Sequence, residues 1–404
     1  FMGSGTPYFI PLNEAVEISK IRKISINTEI IPIDEAHRRI LSKPLQALTD
    51  DPPFDNSAMD GFAVNYSETH NPPNKFTISN TIVAGNKSPN SISLGEAARI
   101  MTGAPIPQGA DSIIPIEMCE LDEESNIVTL LQESKPHFIR KKGENFNLNQ
   151  TLLMEGTYLS PEKISLCAAM GHGLVEVYKP LKVAVIPTGD ELRLPGEKLA
   201  PGQIFESNTF GISSLVSWLG HQPIRYPAVV DNIEELRTTL NQAAEKCDVI
   251  ITCGGVSMGE KDYVRKIMEQ EGVIDFWRIK VRPGSPPLFG SWSNTPIFGL
   301  PGNPVSSHVV FRVLCAPWFR SLTNSSQPKE NKIMVKLGVD IKTVPGFLTL
   351  RRVTLLEQDG EITAVTKHHQ GSGNIASIAL GEALTLLDEN HSGKKGEFCY
   401  VLIL

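Results

Sequence analysis

From Lys182 onward the chain repeats one pattern three times: a short apolar run that stops in a tight polar turn. Val183-Ala184-Val185-Ile186 leads into Pro187-Thr188-Gly189-Asp190-Glu191. Val249-Ile250-Ile251-Thr252 leads into Cys253-Gly254-Gly255-Val256-Ser257. Pro296-Ile297-Phe298 leads into Gly299-Leu300-Pro301-Gly302-Asn303-Pro304. Helix-like stretches at 209–219, 233–245 and 262–270 fill the intervals. Short strands alternating with helices predict a parallel, doubly wound α/β sheet. Such sheets bind ligands outside the carboxyl ends of their strands. All three turns occupy that end, so they are expected to line one crevice.

The rest of the chain reads differently. Apolar residues at helical spacing run from 12 to 42, with a helix start expected at Pro32-Ile33-Asp34-Glu35-Ala36. Short β-rich runs at 62–64, 75–78, 98–101, 112–116 and 127–131, separated by Pro, Gly and Asn, predict an all-β insert. Ser160, Pro161 and Glu162 open a helix over 160–170. After a polar linker at 323–332, five short apolar runs at 333–339, 347–353, 362–366, 383–387 and 397–402 suggest a small β-barrel.

Charge and apolar content exclude several function classes. The formal net charge is −7. An acidic balance argues against a general nucleic-acid binder, which needs a basic face. The one basic cluster, Lys135, His137, Arg140, Lys141 and Lys142, suits a solvated loop or a local anion site. No apolar run approaches the ~18 residues of a membrane span. No signal peptide is visible at the start of the chain; its first five residues resemble an expression remnant, which could also stand in place of a removed leader. Six cysteines are scattered with no Cys-x-x-Cys, so neither a zinc site nor a redox pair is signalled. Buried inert thiols and a cytoplasmic setting are expected.

Four acids sit near the special turns. Asp60 lies in Asp55-Asn56-Ser57-Ala58-Met59-Asp60-Gly61, and Glu191 follows Asp190 beyond the first strand. Asp231 follows Ala228-Val229-Val230, read as a fourth strand end, and Asp262 follows the Gly254-Gly255 turn. Each alone suits an Asx turn or a helix cap. Together they form an oxygen-only set suited to Mg²⁺. Gly254-Gly255-Val256-Ser257 and Gly302-Asn303-Pro304 offer backbone N–H groups to an anion. Neither matches a dinucleotide fingerprint or a P-loop. Arg278, Lys280 and Arg282 precede a Pro-Gly turn and form either a basic surface strand or a seat for an oxyanion.

These segments resemble the molybdopterin molybdotransferase family, the MoeA and gephyrin E-domain group. The resemblance runs through PPFDNSAMDGFAV (52–64), RIMTGAPIP (99–107), RKKGEN (140–145), PTGDEL (187–192), GQIFESN (202–208), CGGVSMGEKDY (253–263), FWRIKVRPGSP (276–286), GLPGNPVS (299–306) and HQGSG (369–373). It implies an elongated helical domain from 7–50 and 138–180, an inserted β-domain at 51–137, an α/β domain at 181–325 and a C-terminal β-barrel at 326–404. It implies a homodimer whose cleft joins one subunit's α/β domain to the other's β-insert, so that Asp60 acts in trans.

The implied reaction inserts molybdate into adenylylated molybdopterin and releases AMP with Mg²⁺. An adenylyltransferase supplying the substrate is an implied partner. By resemblance Asp60, Glu191, Asp231 and Asp262 hold the metal, and Thr102 orients the insert's side of the cleft. Gly254, Gly255 and Ser257 cradle the pterin phosphate, while Pro301 and Pro304 shape the wall. Arg282, Arg352 and Ser372 attract molybdate. Three positions depart from the family pattern: Ser285 replaces a lysine, Asn145 an acid, and Arg278 a lysine. The loss of an ammonium at Ser285 predicts weak molybdate binding that Ser285→Lys would strengthen. Two other readings remain open: a scaffold protein of the gephyrin kind and a CinA-like nucleotide hydrolase.

Overall fold

A computed structural model describes residues 6–404 except 88, 261, 326 and 359; the first five residues, read above as a remnant, and the Lys261 of the 253–263 motif fall outside the described residues. The α/β unit is built on seven strands: β1 (Tyr8–Ile10), β2 (Lys182–Pro187), β3 (Gln222–Arg225), β4 (Val249–Cys253), β5 (Val273–Ile279), β6 (Leu288–Trp292) and β7 (Thr295–Leu300). Their order across the sheet is β1-β5-β6-β7-β4-β2-β3. The β7-β4-β2-β3 half is parallel, as is the β1-β5 edge. The β5-β6 and β6-β7 pairs are antiparallel. The sheet is therefore mixed, which corrects the expectation of a wholly parallel one. One cause is the two-residue turn Ser293-Asn294, with φ of 47° and 67°, that sets Trp292 opposite Thr295. Two left-handed residues match the twist of a hairpin.

The helices are α1 (Leu12–Ile21), α2 (Asn208–Trp218), α3 (Ile233–Lys246), α4 (Tyr263–Gln270) and α5 (Pro304–Val310), the last running through a π segment into α6 (Ala316–Leu322). Successive strand residues face opposite sides. Val183, Ile251 and Phe298 pack with Ile212 of α2 and Val309 of α5 on one face. Ala184, Ile250 and Ile297 pack with Leu240 of α3 and Ile267 of α4 on the other. The strands are buried on both faces, which is why they read as unbroken apolar runs.

The helical expectation for 12–42 holds over α1 and fails beyond it. Ala15 of α1 belongs to the sheet's own core. Thr28–Pro32 is a strand paired antiparallel with Leu174–Tyr178, and Ile33–Glu35 is a single 3₁₀ turn rather than a helix start. Ile31, Leu41, Leu153, Met170 and Val177 close a separate core shared by 28–50 and 146–178. The one α-helix of that region is Pro161–Ala169.

The insert is a six-stranded sheet ordered Ser112–Pro115, Gly61–Val64, Glu96–Ile100, Asn74–Ile82, Ile127–Leu130, Cys119–Asp122, with an apolar cluster on each face. The C-terminal part closes as a five-stranded barrel of Lys332–Leu337, Glu361–Val365, Arg352–Gln358, Ala383–Leu386 and Phe398–Ile403. The run expected at 347–353 divides: Leu348–Thr349 pairs with Val281–Arg282 of the α/β unit, and the barrel strand starts at Arg352. Among the described residues no helix is long and apolar enough to cross a membrane. The six cysteines are free thiols.

Candidate functional site

The carboxyl ends of β2, β4 and β7 open onto a cavity of about 550 Å³ whose walls include Thr188, Glu191, Glu206, Asn208, Asn303 and Pro304. Gly373 and Ile375, at the start of the short helix Ile375–Ala379 ahead of a barrel strand, complete the rim. The three turns thus converge. Close approach requires a glycine at 254: its φ is 108°, and a Cβ there would lie 2.8 Å from the Thr188 hydroxyl.

The two carboxylates after β2 have separate jobs. Asp190 Oδ1 accepts the Asp231 N–H at 2.9 Å, fixing the neighbouring loop. The exposed Glu191 carboxylate accepts no hydrogen bond among the described residues. It folds over Gly189, where a Cβ would meet Oε2 at 2.6 Å. Asp231 borders a small hole with Thr188, Gly255 and Tyr263. It does not cap α3; Asn232 does, accepting the N–H groups of Glu234 and Glu235 at 2.8 and 3.2 Å. Residues 228–230 form no strand, and Val229 makes an isolated bridge to Thr188. Asp262 caps α4 by no side-chain bond and accepts the Gly259 N–H at 2.5 Å, closing the loop. Among the described residues no three His, Cys, Asp or Glu side chains are placed to hold a metal, so these acids form no protein cage within one chain.

Asp60 and Thr102 meet on the insert. Asp60 Oδ1 accepts both the Thr102 N–H at 2.6 Å and its hydroxyl at 2.8 Å. These bonds hold the carboxyl below its ordinary titration range. Neither residue lines the α/β cavity of the same chain. Gly61, beside Asp60, is required by packing: a Cβ there would lie 2.0 Å from the Ile114 carbonyl oxygen.

The expected anion seats are less open than the residue types suggest. The Gly254 N–H donates to the Leu300 carbonyl at 2.9 Å, so it is not offered to a phosphate. Exposed Ser257 receives Arg265 Nε on its carbonyl at 3.0 Å. The Pro301 carbonyl accepts the Ser307 hydroxyl. Arg282 donates to the Ser285 hydroxyl and lies 4.6 Å from the Phe347 ring. Burial, with Arg278 nearby, lowers the Arg282 pKa. Arg352 is buried, binding Ser377 Oγ and the Gly371 carbonyl, each at 2.9 Å, while its Nη1 has no partner. Burial lowers its pKa to about 10. The Ser372 carbonyl accepts the Val305 N–H at 3.1 Å and docks this loop on α5. Asn145 donates to the Asp51 carboxylate at 2.9 Å, a place where an acid would meet a like charge.

Three cavity residues were not singled out by the sequence reading. Glu206 is buried and accepts the Thr209 N–H and hydroxyl at 2.8 and 2.5 Å. Asn208 donates to the Gly302 carbonyl at 2.7 Å, tying the start of α2 to the turn after β7. Thr188 presses on Gly254 and Gly255. The signal for the first two was a polar run, Glu206-Ser207-Asn208-Thr209, directly ahead of an apolar helix.

Known proteins share this arrangement. Residues 10–171 match the MoeA N-terminal region (domain I and II), 184–321 a probable molybdopterin binding domain, and 334–404 the MoeA C-terminal region (domain IV). A molybdopterin molybdenumtransferase of Haemophilus influenzae is 33% identical over 90% of this chain and 90% of its own. One from Bacillus subtilis is 29% identical over 98% and 94%. The crystal structure of the molybdopterin biosynthesis MoeA protein from Pyrococcus horikoshii OT3 superposes with a TM-score of 0.84 at 26% identity, covering 98% of this chain and all of that one. With its whole length matched in order, the chain belongs to the MoeA family.

Proposed function

We infer that this chain is a molybdopterin molybdenumtransferase that takes molybdate and adenylylated molybdopterin and releases AMP. The observation that carries this reading is the unpaired Glu191 carboxylate on the wall of the strand-end cavity, inside the segment matching a probable molybdopterin binding domain.

The residues fit a magnesium ion. The donors are hard carboxylate oxygens, the kind that a magnesium ion takes one or two of beside waters and phosphate oxygens. Glu191, Asp231 and Asp262, with Asp60 from a second copy, would hold it. When bound, such an ion supplies charge neutralisation to the pyrophosphate and positions its oxygens. The chain's own residues do the rest. Asp190 keeps the Asp231 loop in register with Glu191. Thr102 orients the Asp60 carboxylate through its N–H and its hydroxyl. Asn208 holds the two cavity walls at a fixed spacing. Arg282, half-buried and held by Ser285, is the side chain suited to attract the oxyanion, whereas buried Arg352 braces the 371–377 segment that carries the cavity rim. A homodimer that adds Asp60 and Thr102 to the partner's cavity accounts for their separation from it within one chain.

The test supplies adenylylated molybdopterin and molybdate and follows activation of an apo-molybdoenzyme. Activation that needs both substrates and this protein supports the reading. Equal activation without the protein contradicts it.

A further inference from the structure

We infer that α2 carries a second anion site, outside the strand-end cavity, suited to a tetrahedral dianion: a free oxyanion or the phosphate of a monoester. Phe210, Ser213, Ser214, Ser217 and Trp218 share one flank of α2 and line a depression of about 500 Å³ with Arg38 and Arg225. Among the described residues no carboxylate lines it, in a chain whose net charge is −7. Two guanidinium groups without an acid make this depression a local exception to the acidic surface.

The two arginines come from different parts of the chain. Arg38 follows the 3₁₀ turn at Ile33–Glu35, and its exposed guanidinium makes no ion pair among the described residues. Arg225 ends β3, lies 3.4 Å from the Phe210 ring centre and donates through Nε to the Thr209 hydroxyl at 3.2 Å. Its Nη groups take no partner among the described residues. The planar guanidinium fork matches phosphate-type oxygens. Hydroxyls complete the set: Ser213 Oγ is buried without a hydrogen-bond partner, and Ser217 Oγ has none among the described residues. Buried unpaired polar atoms are uncommon in folded proteins, so the Ser213 hydroxyl calls for a partner.

Thr209 separates this depression from the strand-end cavity, since its hydroxyl donates to Glu206 of the cavity wall. The two sites share a wall and no ligand-facing side chain. The inference therefore stands independently of the transferase reading.

Trp218, held between Arg312 and Arg320 at 5.6 Å from each, gives a reporter at the site. The full chain is titrated with inorganic phosphate, molybdate and AMP, by tryptophan fluorescence and by equilibrium dialysis. A saturable dianion site is expected. Arg38→Ala should raise its half-saturation about tenfold or more, the loss of one charge-assisted contact. Glu191→Gln should leave it unchanged, and Trp218→Phe should abolish the fluorescence change. Tighter binding of AMP than of the inorganic ions identifies a monoester site; the reverse identifies an oxyanion site. No dialysable site beyond the Glu191-dependent one, or binding indifferent to Arg38→Ala, overturns the inference.

Discussion

The Ser285 hydroxyl accepts a hydrogen bond from the Arg282 guanidinium and donates one, 2.9 Å long, to the Val281 carbonyl. Its single donor is therefore spent within the loop, along with one acceptor lone pair. Ser285 is 1% exposed. It orients the neighbouring cation and has no free donor for an oxyanion.

This geometry reverses the expected effect of Ser285→Lys. An ammonium placed there would be buried beside a guanidinium, and a buried unpaired charge costs several kcal/mol. The variant should unfold at lower denaturant and bind molybdate no better. Ser285→Ala should fold normally and raise half-saturating molybdate about three- to tenfold, from one lost hydrogen bond of roughly 1 kcal/mol that holds Arg282. Molybdate titrations with denaturant midpoints distinguish the two variants.

Thr102 lowers the Asp60 pKa through two hydrogen bonds. The Asp60 pKa is depressed below 3.8 in the fold by the two Thr102 bonds. A depressed carboxyl pKa contributes stability that is present above the unfolded value and lost as pH falls through the folded one. Thr102→Ala keeps the backbone N–H and removes the hydroxyl. The Asp60 titration should then move up toward its ordinary value in a carboxyl NMR titration. An unmoved titration would assign the depression to the backbone bond alone.

The linker to the barrel depends on a buried ion triad. Glu330, 5% exposed in its side chain, pairs with Arg312 at 3.3 Å and Arg320 at 2.9 Å. Glu330→Ala leaves two guanidinium groups facing each other without a counter-charge. Loss of one partner of a buried pair costs about 3–5 kcal/mol. Urea unfolding should show a lowered midpoint, and replacing both arginines with methionine in that variant should restore part of it.

The α/β unit was the most legible part of the sequence. Strands buried on both faces produce unbroken apolar runs, and the helices over Asn208–Trp218, Ile233–Lys246 and Tyr263–Gln270 lie within two residues of expectation at each end. The antiparallel half was hidden because Ser293-Asn294 lacks the glycine that flags a two-residue hairpin, and because the three residues Tyr8–Ile10 are too few to show a period. The strand Thr28–Pro32 was misread because its isoleucines fall by chance at helical spacing from those of 33–40, while Ile30 is exposed. At the site, residue types located Glu191 and the glycine turns. They did not reveal that Asp190, the Gly254 N–H and Ser285 are consumed by local hydrogen bonds, because those partners are distant in sequence or set by loop shape.

A cleft built between two copies predicts complementation. Asp60→Ala and Glu191→Gln should each be nearly inactive. In a mixed dimer one of the two clefts is wild type at both positions, so random subunit exchange should restore activity from two inactive preparations. No recovery, with exchange verified by mass spectrometry, would place Asp60 and Glu191 in the same subunit's site or outside any site.

Molybdenum insertion is assigned to the strand-end cavity that carries Glu191. The most direct measurement is AMP release from adenylylated molybdopterin by the wild-type chain and by Glu191→Gln, with and without molybdate, across a Mg²⁺ titration. Glu191 is exposed and unpaired, so the variant should fold as the wild type does. The expected result is molybdate-stimulated AMP release by the wild type, and release by the variant that is at least tenfold slower and needs more Mg²⁺, as expected when a scarce carboxylate ligand is lost. AMP release with the same rate and Mg²⁺ dependence in both proteins would contradict the assignment of this cavity.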